Sequence, residues 1–439
     1  MNHFKSILIL WCLLTFNYSI SQSYVGQQTD NYSGIHGVIY NPSSIVGSNF
    51  KTDINIVSLS GFVGSDYFGI NFSDLLNGNS FDVSDDTERF LSDSNNFFLN
   101  VDVLGPSFMF NLNKKSSIGV LTRGRAFFNL NNINGELFET IEDEFESEND
   151  ISFNSKNLNG TLHAWAEIGI AYGRILMDKN HHFVKGGVTL KYLQGAGALF
   201  VSSPGFTGQY TRASETLTTQ GELNYGTSQD FDSENLDAGD LTAGFGMDLG
   251  FTYQWHPKRE NDSIPIYKDH YKLKVGVSIT DIGAVNYENA KRTSYNVNST
   301  VDTSNYEDLE EFLDSNYSKS ERIENTKIQL PTALHVLVDY RIAKKWLVSA
   351  QANLSLIKKD KELANSIINT VTIAPRLETK WFSFYTPLSF RQYGDFACGG
   401  GFRLGPLTLG SGSVFSNLLS NSSKTTDFFL GLKVPIYRK

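Results

Sequence analysis

The chain has 439 residues, enough for one large core or several small ones, and its 37 glycines, 20 tyrosines and 32 phenylalanines beside only 19% charged residues are the mixture of a β-protein with many turns. A formal net charge of −10 excludes a general nucleic-acid binder, because neutralising phosphates needs a basic surface. Of the two cysteines, Cys12 falls inside an apolar leader, so no disulfide framework is available and Cys398 reads as a small packed residue.

His3 and Lys5 supply a short polar, basic start, Ile7 to Phe16 an apolar stretch, and Ser19-Ile20-Ser21 small residues for cleavage. Residues 1–21 therefore read as a signal peptide, with the mature chain beginning near Gln22. The apolar stretch is too short to span a bilayer of about 30 Å, and no later segment has the 18 or so consecutive apolar residues of a membrane helix. A membrane location thus requires a barrel. Residues 22–50 are less regular and contain Tyr40-Asn41-Pro42-Ser43-Ser44. They read as a segment at the barrel mouth or a plug in its lumen, with Tyr40, Asn41 and Pro42 as the plug residues.

From residue 51 to 439 apolar and polar residues alternate at period two, the pattern of strands with one greasy and one wet face. Phe245, Met247, Leu249, Phe251, Tyr253 and Trp255 oppose Gly244, Gly246, Asp248, Gly250, Thr252 and Gln254. Strands of ten or more residues, with Trp255, Tyr253, Trp346, Trp381 and Tyr437 near the ends of the apolar face, fit a bilayer better than the usual strand of about 5 to 6 residues. In chain order the strands fall near 52–73, 96–112, 117–128, 158–176, 182–196, 238–256, 269–283, 327–342, 345–357, 368–381, 382–393, 395–404, 405–414 and 425–437. That predicts an all-β, transmembrane antiparallel barrel of about 14 strands in the outer membrane, one domain with a short plug-like N-terminus. The connections 74–95, 129–157, 197–237 and 284–326, with the shorter 358–367 and 415–424, fall on the extracellular side. Turns near Lys114, Lys179, Lys258, Lys344 and Pro406 fall on the periplasmic side with both termini.

The inward faces carry Arg123, Arg125, Lys185, Lys191, Lys272, Lys274, Arg341, Arg376, Arg391 and Arg403 against Glu167, Asp248 and Asp339. Two states suit these lumen-lining residues: an open channel that attracts anions, or a filled barrel in which the charges pair with one another and with the plug. His163 and Glu167 share a face but lie about 13 Å apart along a strand, too far to hold one metal ion without a bend. The acidic run from Glu136 to Asp150 reads as a solvated outer loop, with Ca²⁺ or a divalent bridge to lipopolysaccharide as its functional alternative. No nucleophile elbow, zinc pair or phosphate loop is present, so neither an enzyme nor a cofactor or metal site is expected.

Gly37-Val38-Ile39-Tyr40-Asn41-Pro42-Ser43-Ser44 resembles the N-terminal Asn-Pro-Ala element of the fatty-acid-transporter (FadL-like) barrels and their Bacteroidota relatives. With Phe390-Arg391-Gln392-Tyr393-Gly394-Asp395-Phe396 and Gly399 to Gly412, it is similar to a Bacteroidota outer-membrane family of unassigned function, across essentially the mature chain. The resemblance implies a 14-stranded barrel, an N-terminal plug and a lateral opening for hydrophobic substrates, although Ser43 stands where Ala is usual. A channel or transporter for hydrophobic or anionic small molecules is the function expected. The alternative is a structural or secretion-system accessory barrel, like those of type IX secretion, acting through its extracellular loops on an envelope protein partner. Outer-membrane lipid and lipopolysaccharide are the other partners expected.

Overall fold

The computed structural model describes residues 24–72, 87–146, 149–228, 241–259, 270–393 and 396–438; the leader expected over 1–21 lies outside them. The chain forms a closed antiparallel barrel of 14 strands. The first five are β1 (Phe50–Ser65), β2 (Asn95–Leu104 and Ser107–Asn111), β3 (Ser116–Ile133), β4 (Ile151–Lys179) and β5 (His182–Thr211). Then follow β6 (Thr216–Thr227 and Thr242–Trp255), β7 (Leu273–Asn296 and Ser299–Asp302), β8 (Ser318–Gln329 and Ala333–Arg341), β9 (Trp346–Ser355) and β10 (Thr370–Glu378). The wall ends with β11 (Phe382–Tyr385 and Leu388–Arg391), β12 (Phe396–Cys398 and Gly400–Leu404), β13 (Leu407–Ser411) and β14 (Thr425–Tyr437). Each strand pairs with the next, and β14 returns to β1 through pairs such as Ile54 with Val434 and Leu59 with Leu430. Closure leaves no free sheet edge, the condition for a sheet to sit in hydrocarbon. The number and order of strands are those read from the alternation.

Outward side chains form an apolar belt: Ile168, Ile170, Leu190, Phe251, Ile373 and Phe390 are between 49% and 66% exposed. A continuous apolar band around a closed barrel is the surface that lipid covers and water does not. The chain is an outer-membrane β-barrel. Short turns at 112–115, 180–181, 342–345, 379–381 and 405–406 mark the periplasmic end, where Trp255, Trp346 and Trp381 also lie exposed.

The extracellular end differs from expectation. β4 and β5 run for 29 and 30 residues, whereas crossing a bilayer takes about 9–11. Their outer parts continue as a tower, joined by the outer parts of β6, β7 and β8. Two helices cover it, α1 (Gly135–Glu142), capped by the Asn134 side chain, and α2 (Leu309–Asn316), capped by Asp308. Phe145, Phe153, Tyr210, Tyr295, Phe312 and Tyr317 make its core. The described residues of the segments 129–157, 197–237 and 284–326, expected as loops, are therefore largely strand and helix; 147–148 and 229–237 lie outside the described residues. The physical reason is that a strand loses its greasy outer face once it leaves the bilayer: Thr218, Gln220 and Glu222 point outward from β6, and polar Thr219 points inward beside Leu217. Within the acidic run, α1 carries Glu136, Glu139 and Glu142, with Glu139 2.7 Å from Arg89; Glu148 lies outside the described residues.

Wall side chains fill the interior of a barrel of about 8 strands, and a larger one needs inserts or holds water. Here two inserts enter. Residues 24–49 run through the periplasmic half, where Tyr24, Ile35, Val38 and Ile45 pack with Leu104, Leu121 and Phe429 of the wall. Residues 363–368 fold in from the outer side, where 358–367 was expected as a short outer connection and 368 as the start of a strand. There Asn365 Nδ2 donates to Asn129 Oδ1 and Thr161 O, both at 3.0 Å, and Ile368 joins Phe62, Phe98, Phe127, Trp165 and Tyr287 in a middle apolar layer.

Candidate functional site

The plug is seated by backbone-scale fit. Asn41 is extended, accepts from Ser43 N and precedes Pro42 at the first position of a single 3-10 turn, Pro42–Ile45. Its Nδ2 donates to Phe251 O at 3.1 Å and Val277 O at 3.4 Å, on two adjacent strands. Ser43 and Thr252 hydroxyls lie 2.7 Å apart, Ser278 Oγ donates to Tyr40 O at 2.5 Å, and Lys185 Nζ donates to Val46 O at 2.8 Å. The turn lies in a groove of glycines. Gly173, Gly187 and Gly250 are direct cross-strand partners on β4, β5 and β6. A Cβ on Gly187 would stand 2.4 Å from the Pro42 carbonyl carbon, and one on Gly250 2.2 Å from Asn41 Oδ1.

The Arg403–Asp30 ion pair and hydrogen bonds from other charged wall residues lock the rest of the plug. Arg403 Nε meets Asp30 at 3.0 Å; Arg376 bonds Thr29, Asp339 at 3.0 Å and Glu378 at 2.9 Å. Lys433 donates to Tyr32 O and Ser33 O, at 2.7 and 3.0 Å, while Asp53 accepts from Ile35 N at 2.9 Å. Lys274 donates to Thr29 O at 3.2 Å. Burial alone would raise the Asp30 carboxyl, but the guanidiniums of Arg403 and Arg376 outweigh it and hold it at about 2. Burial, helped by the Lys433 ammonium, lowers the His36 imidazole to about 3 from its ordinary 6.5. A base lowered in the docked state favours docking above its free value. Plug docking should be flat above pH 6.5 and weaken as pH falls from 6.5 towards 3, with Asp30 adding its loss only below its ordinary 3.8. Limited proteolysis of the plug between pH 8 and 4 checks this: His36→Gln should remove the dependence, and a wild-type plug equally protected throughout would contradict it.

Above the plug lies a charge network on the membrane-spanning wall. Arg123 bonds Asp102 and, at 3.1 Å, Glu167; Arg125 meets Asp281 at 2.8 Å; Lys191 meets Asp248 at 2.8 Å and Asp281 at 2.6 Å. Arg125 also stands over Phe127 and Trp165, 5.0 Å from each ring centroid. A bulge in β7 makes this convergence. Asp281 has φ 57°, its N–H donates to Asp248 at 2.7 Å, and the β6–β7 register slips beside it.

The residues read as lumen-lining thus separate into groups. Arg123, Arg125, Glu167, Lys191 and Asp248 meet in the network, and Lys185, Lys274, Asp339, Arg376 and Arg403 surround the plug. Arg391 pairs with Asp427 at 2.7 Å beneath α3 (Val414–Leu419). Lys272 and Arg341 sit at the periplasmic rim, where Lys272 Nζ donates to Arg341 O at 2.7 Å and Arg341 to Lys344 O at 2.8 Å. Among the described residues Arg123, Arg125, Lys191, Arg376 and Arg391 stand beside carboxylates, the pairing expected of a filled barrel. Asp102 was readable from the alternation of β2, and Asp30 and Asp53 as acids near the plug; Asp281 was not, because the bulge inverts its parity. His163 Nε2 lies 3.0 Å from Tyr287 OH, while Glu167 is committed to the network, and no metal-holding cluster occurs among the described residues.

Two cavities lie between plug and wall. One of about 310 Å³ opens at the periplasmic mouth beside Lys344 and Lys380; one of about 60 Å³ lies above it, against Arg125, Phe127 and Ile367. Both are lined by Gln28, Tyr40, His335 and Asn353, so these four side chains form the partition. Tyr40 and His335 rings meet edge to face at 5.5 Å, and His335 is held by Thr280 at 2.9 Å and Asn353 at 2.8 Å.

No curated protein matches the sequence. Among solved structures, the toluene transporter TbuX of Ralstonia pickettii is similar at 9% identity, covering 92% of this chain and 95% of that one, with a TM-score of 0.45. The toluene transporter TodX of P. putida is similar at 8% identity over 93% and 95%, TM-score 0.43. The translocator domain of the autotransporter NalP from Neisseria meningitidis is similar at 8% identity over 89% of each chain, TM-score 0.30. The family of unknown function DUF5723 matches residues 42–412, from the plug's Pro42 to Gly412 before α3, and the chain belongs to that family.

Proposed function

We propose that this barrel is a plugged passage for small hydrophobic molecules moving from the middle apolar layer to the periplasm along one side of the plug. The observation that carries it is the pair of cavities in series, which share the Gln28, Tyr40, His335 and Asn353 partition. The upper cavity touches the apolar layer through Phe127 and Ile367. The lower one, lined by amides, hydroxyls and lysines, is open to water. An apolar solute would rest against Phe127 and Ile367 in the first, beside Arg123, Arg125 and Asp281, and lose those contacts in the second, so passage is uphill at that step and follows only a concentration gradient. The apolar layer also meets the wall at Gly195 and Leu199 of β5, whose partners on β6 are Thr242 and Thr227. Tyr287 packs there against Gly195.

Tyr40 is the side chain to change, because Ser278 holds its carbonyl rather than its ring. Tyr40→Ala should speed entry of a fluorescent naphthylamine into outer-membrane vesicles several-fold over wild type, and Tyr40→Trp should slow it. Equal rates for wild type, both variants and vesicles without the protein would overturn the reading.

A further inference from the structure

Among the described residues, the two ends of the barrel carry opposite charge. The outer tower holds the carboxylates of α1 and α2, whereas in the described periplasmic turns the exposed ionised side chains are basic: Lys114, Lys115, Lys258, Lys344, Lys345 and Lys380. Asp178, at the end of β4, is bound to Arg259. Aromatic rings on the lipid-facing surface lie at the same level, with Trp381 58%, Trp346 53% and Tyr340 44% exposed. Two ammonium groups stand over tyrosine rings at this level: Lys272 Nζ is 4.5 Å from the centroid of the lipid-facing Tyr340, and Lys380 Nζ 4.7 Å from that of Tyr437, a half-buried ring packed on Phe50 and the plug's Tyr32.

The second cluster is a built site. Tyr437 OH donates to Lys380 O at 3.0 Å, and Arg403 donates to the same carbonyl at 3.1 Å, which fixes the β10–β11 turn. Trp381 lies 5.0 Å from the Tyr437 ring and covers the left-handed turn at Gly405, φ 55°, where a Cβ would come within 3.1 Å of the indole. Below it, into the membrane, run the exposed Leu404, Leu407 and Ile436. An ammonium fixed at the interface, an indole beside it and an apolar track beneath are the parts needed for a phosphate headgroup with its acyl chain attached.

We propose that the periplasmic rim binds anionic phospholipid of the inner leaflet, with the Lys380 ammonium and the Trp381 indole N–H holding one headgroup phosphate and Tyr437 fixing their turn from behind. The acidic tower keeps such headgroups from the other end, so the charge asymmetry also favours one orientation.

The test uses the full chain with Trp255→Phe and Trp346→Phe, so that Trp381 is the tryptophan exposed to lipid among the described residues. It is reconstituted in phosphatidylcholine vesicles with increasing fractions of brominated phosphatidylglycerol or brominated phosphatidylcholine. Brominated phosphatidylglycerol should reach half-quenching at about a fivefold lower fraction, the factor given by roughly 1 kcal/mol per lysine at an anionic surface. Lys380→Gln should erase the preference while leaving the heat-modifiable band unchanged, and 0.5 M salt should reduce it. Equal quenching by the two lipids would overturn the proposal, as would a preference indifferent to Lys380→Gln. Competition by millimolar inorganic phosphate at constant ionic strength would also overturn it, by making a soluble anion the ligand.

Discussion

With both inserts removed, residues 24–48 excised and 360–368 replaced by a short Gly-Ser turn, the barrel should open into a pore and give stable ohmic steps in planar bilayers. Either removal alone should leave the bilayers close to silent, because the plug and the middle apolar layer block the lumen in series. Excising the plug removes the plug partners of Arg403, Arg376 and Lys433 but leaves Arg376 its Asp339 and Glu378 and Lys433 its Asp53, and it admits water to these side chains. The charges are rehydrated rather than stranded, and the wall should keep its closure. Excising the outer insert uncovers Phe62, Phe98 and Trp165 and costs more stability, since apolar surface then meets water. Each form is first checked for the unboiled, fast-migrating band of a closed barrel. Full-sized steps from plug excision alone would mean that the middle layer is no barrier. Silence from the double excision with the band intact would mean that the wall collapses inward, and would refute the two-insert account.

The membrane-crossing part of this fold was legible because two solvents imprint it. Lipid demands Ile168, Ile170 and Tyr172 on one face of β4, while the lumen demands Glu167 and the small Gly169 and Ala171 on the other. Where one solvent is lost, so is the signal. Above the bilayer both faces of β6 turn polar, and Thr216–Thr227 looks like loop although it pairs with β5 and β7 along its length. The insert at 363–368 was hidden for a different reason. Its Ala364, Asn365 and Ile368 have neither strand period nor helix period, and only the width of a 14-strand lumen calls for them. The plug was visible as an irregular stretch around Asn41-Pro42. Its groove was visible only as Gly187 and Gly250 on inward faces, with nothing in the sequence to place those glycines side by side. At the centre of the candidate site the acids and bases were readable singly. Their convergence depends on the bulge at Asp281, which a strict period of two cannot represent.

That convergence gives the second large effect. Lys191→Met keeps the length and apolar stem of the side chain and removes one charge, yet it should destabilise the barrel by about 3–5 kcal/mol, the cost of breaking a buried ion pair from one side. Lys191 Nζ lies 2.8 Å from Asp248, 2.6 Å from Asp281 and 3.8 Å from Glu167, all buried. Arg123 and Arg125 cannot take over its role, because Arg123 is already bound to Asp102 and Glu167, and Arg125 is fixed between Asp281 and the rings of Phe127 and Trp165. Lys185→Met is the informative control. Lys185 is a buried ammonium six residues earlier on the same inward face of β5, but it donates to Val46 O, and among the described residues it has no carboxylate within ion-pair reach. Its replacement removes one hydrogen bond together with a desolvated charge and should cost about 1 kcal/mol or less. Urea unfolding in lipid vesicles, followed by the emission of the buried Trp165 in a background with Trp255, Trp346 and Trp381 changed to Phe, compares the two midpoints. A large loss for Lys191→Met alone would make carboxylate neutralisation the reason the wall can kink at Asp281. Equal midpoints would mean that the acids find water or protons without it, and that packing of the middle layer holds the bulge.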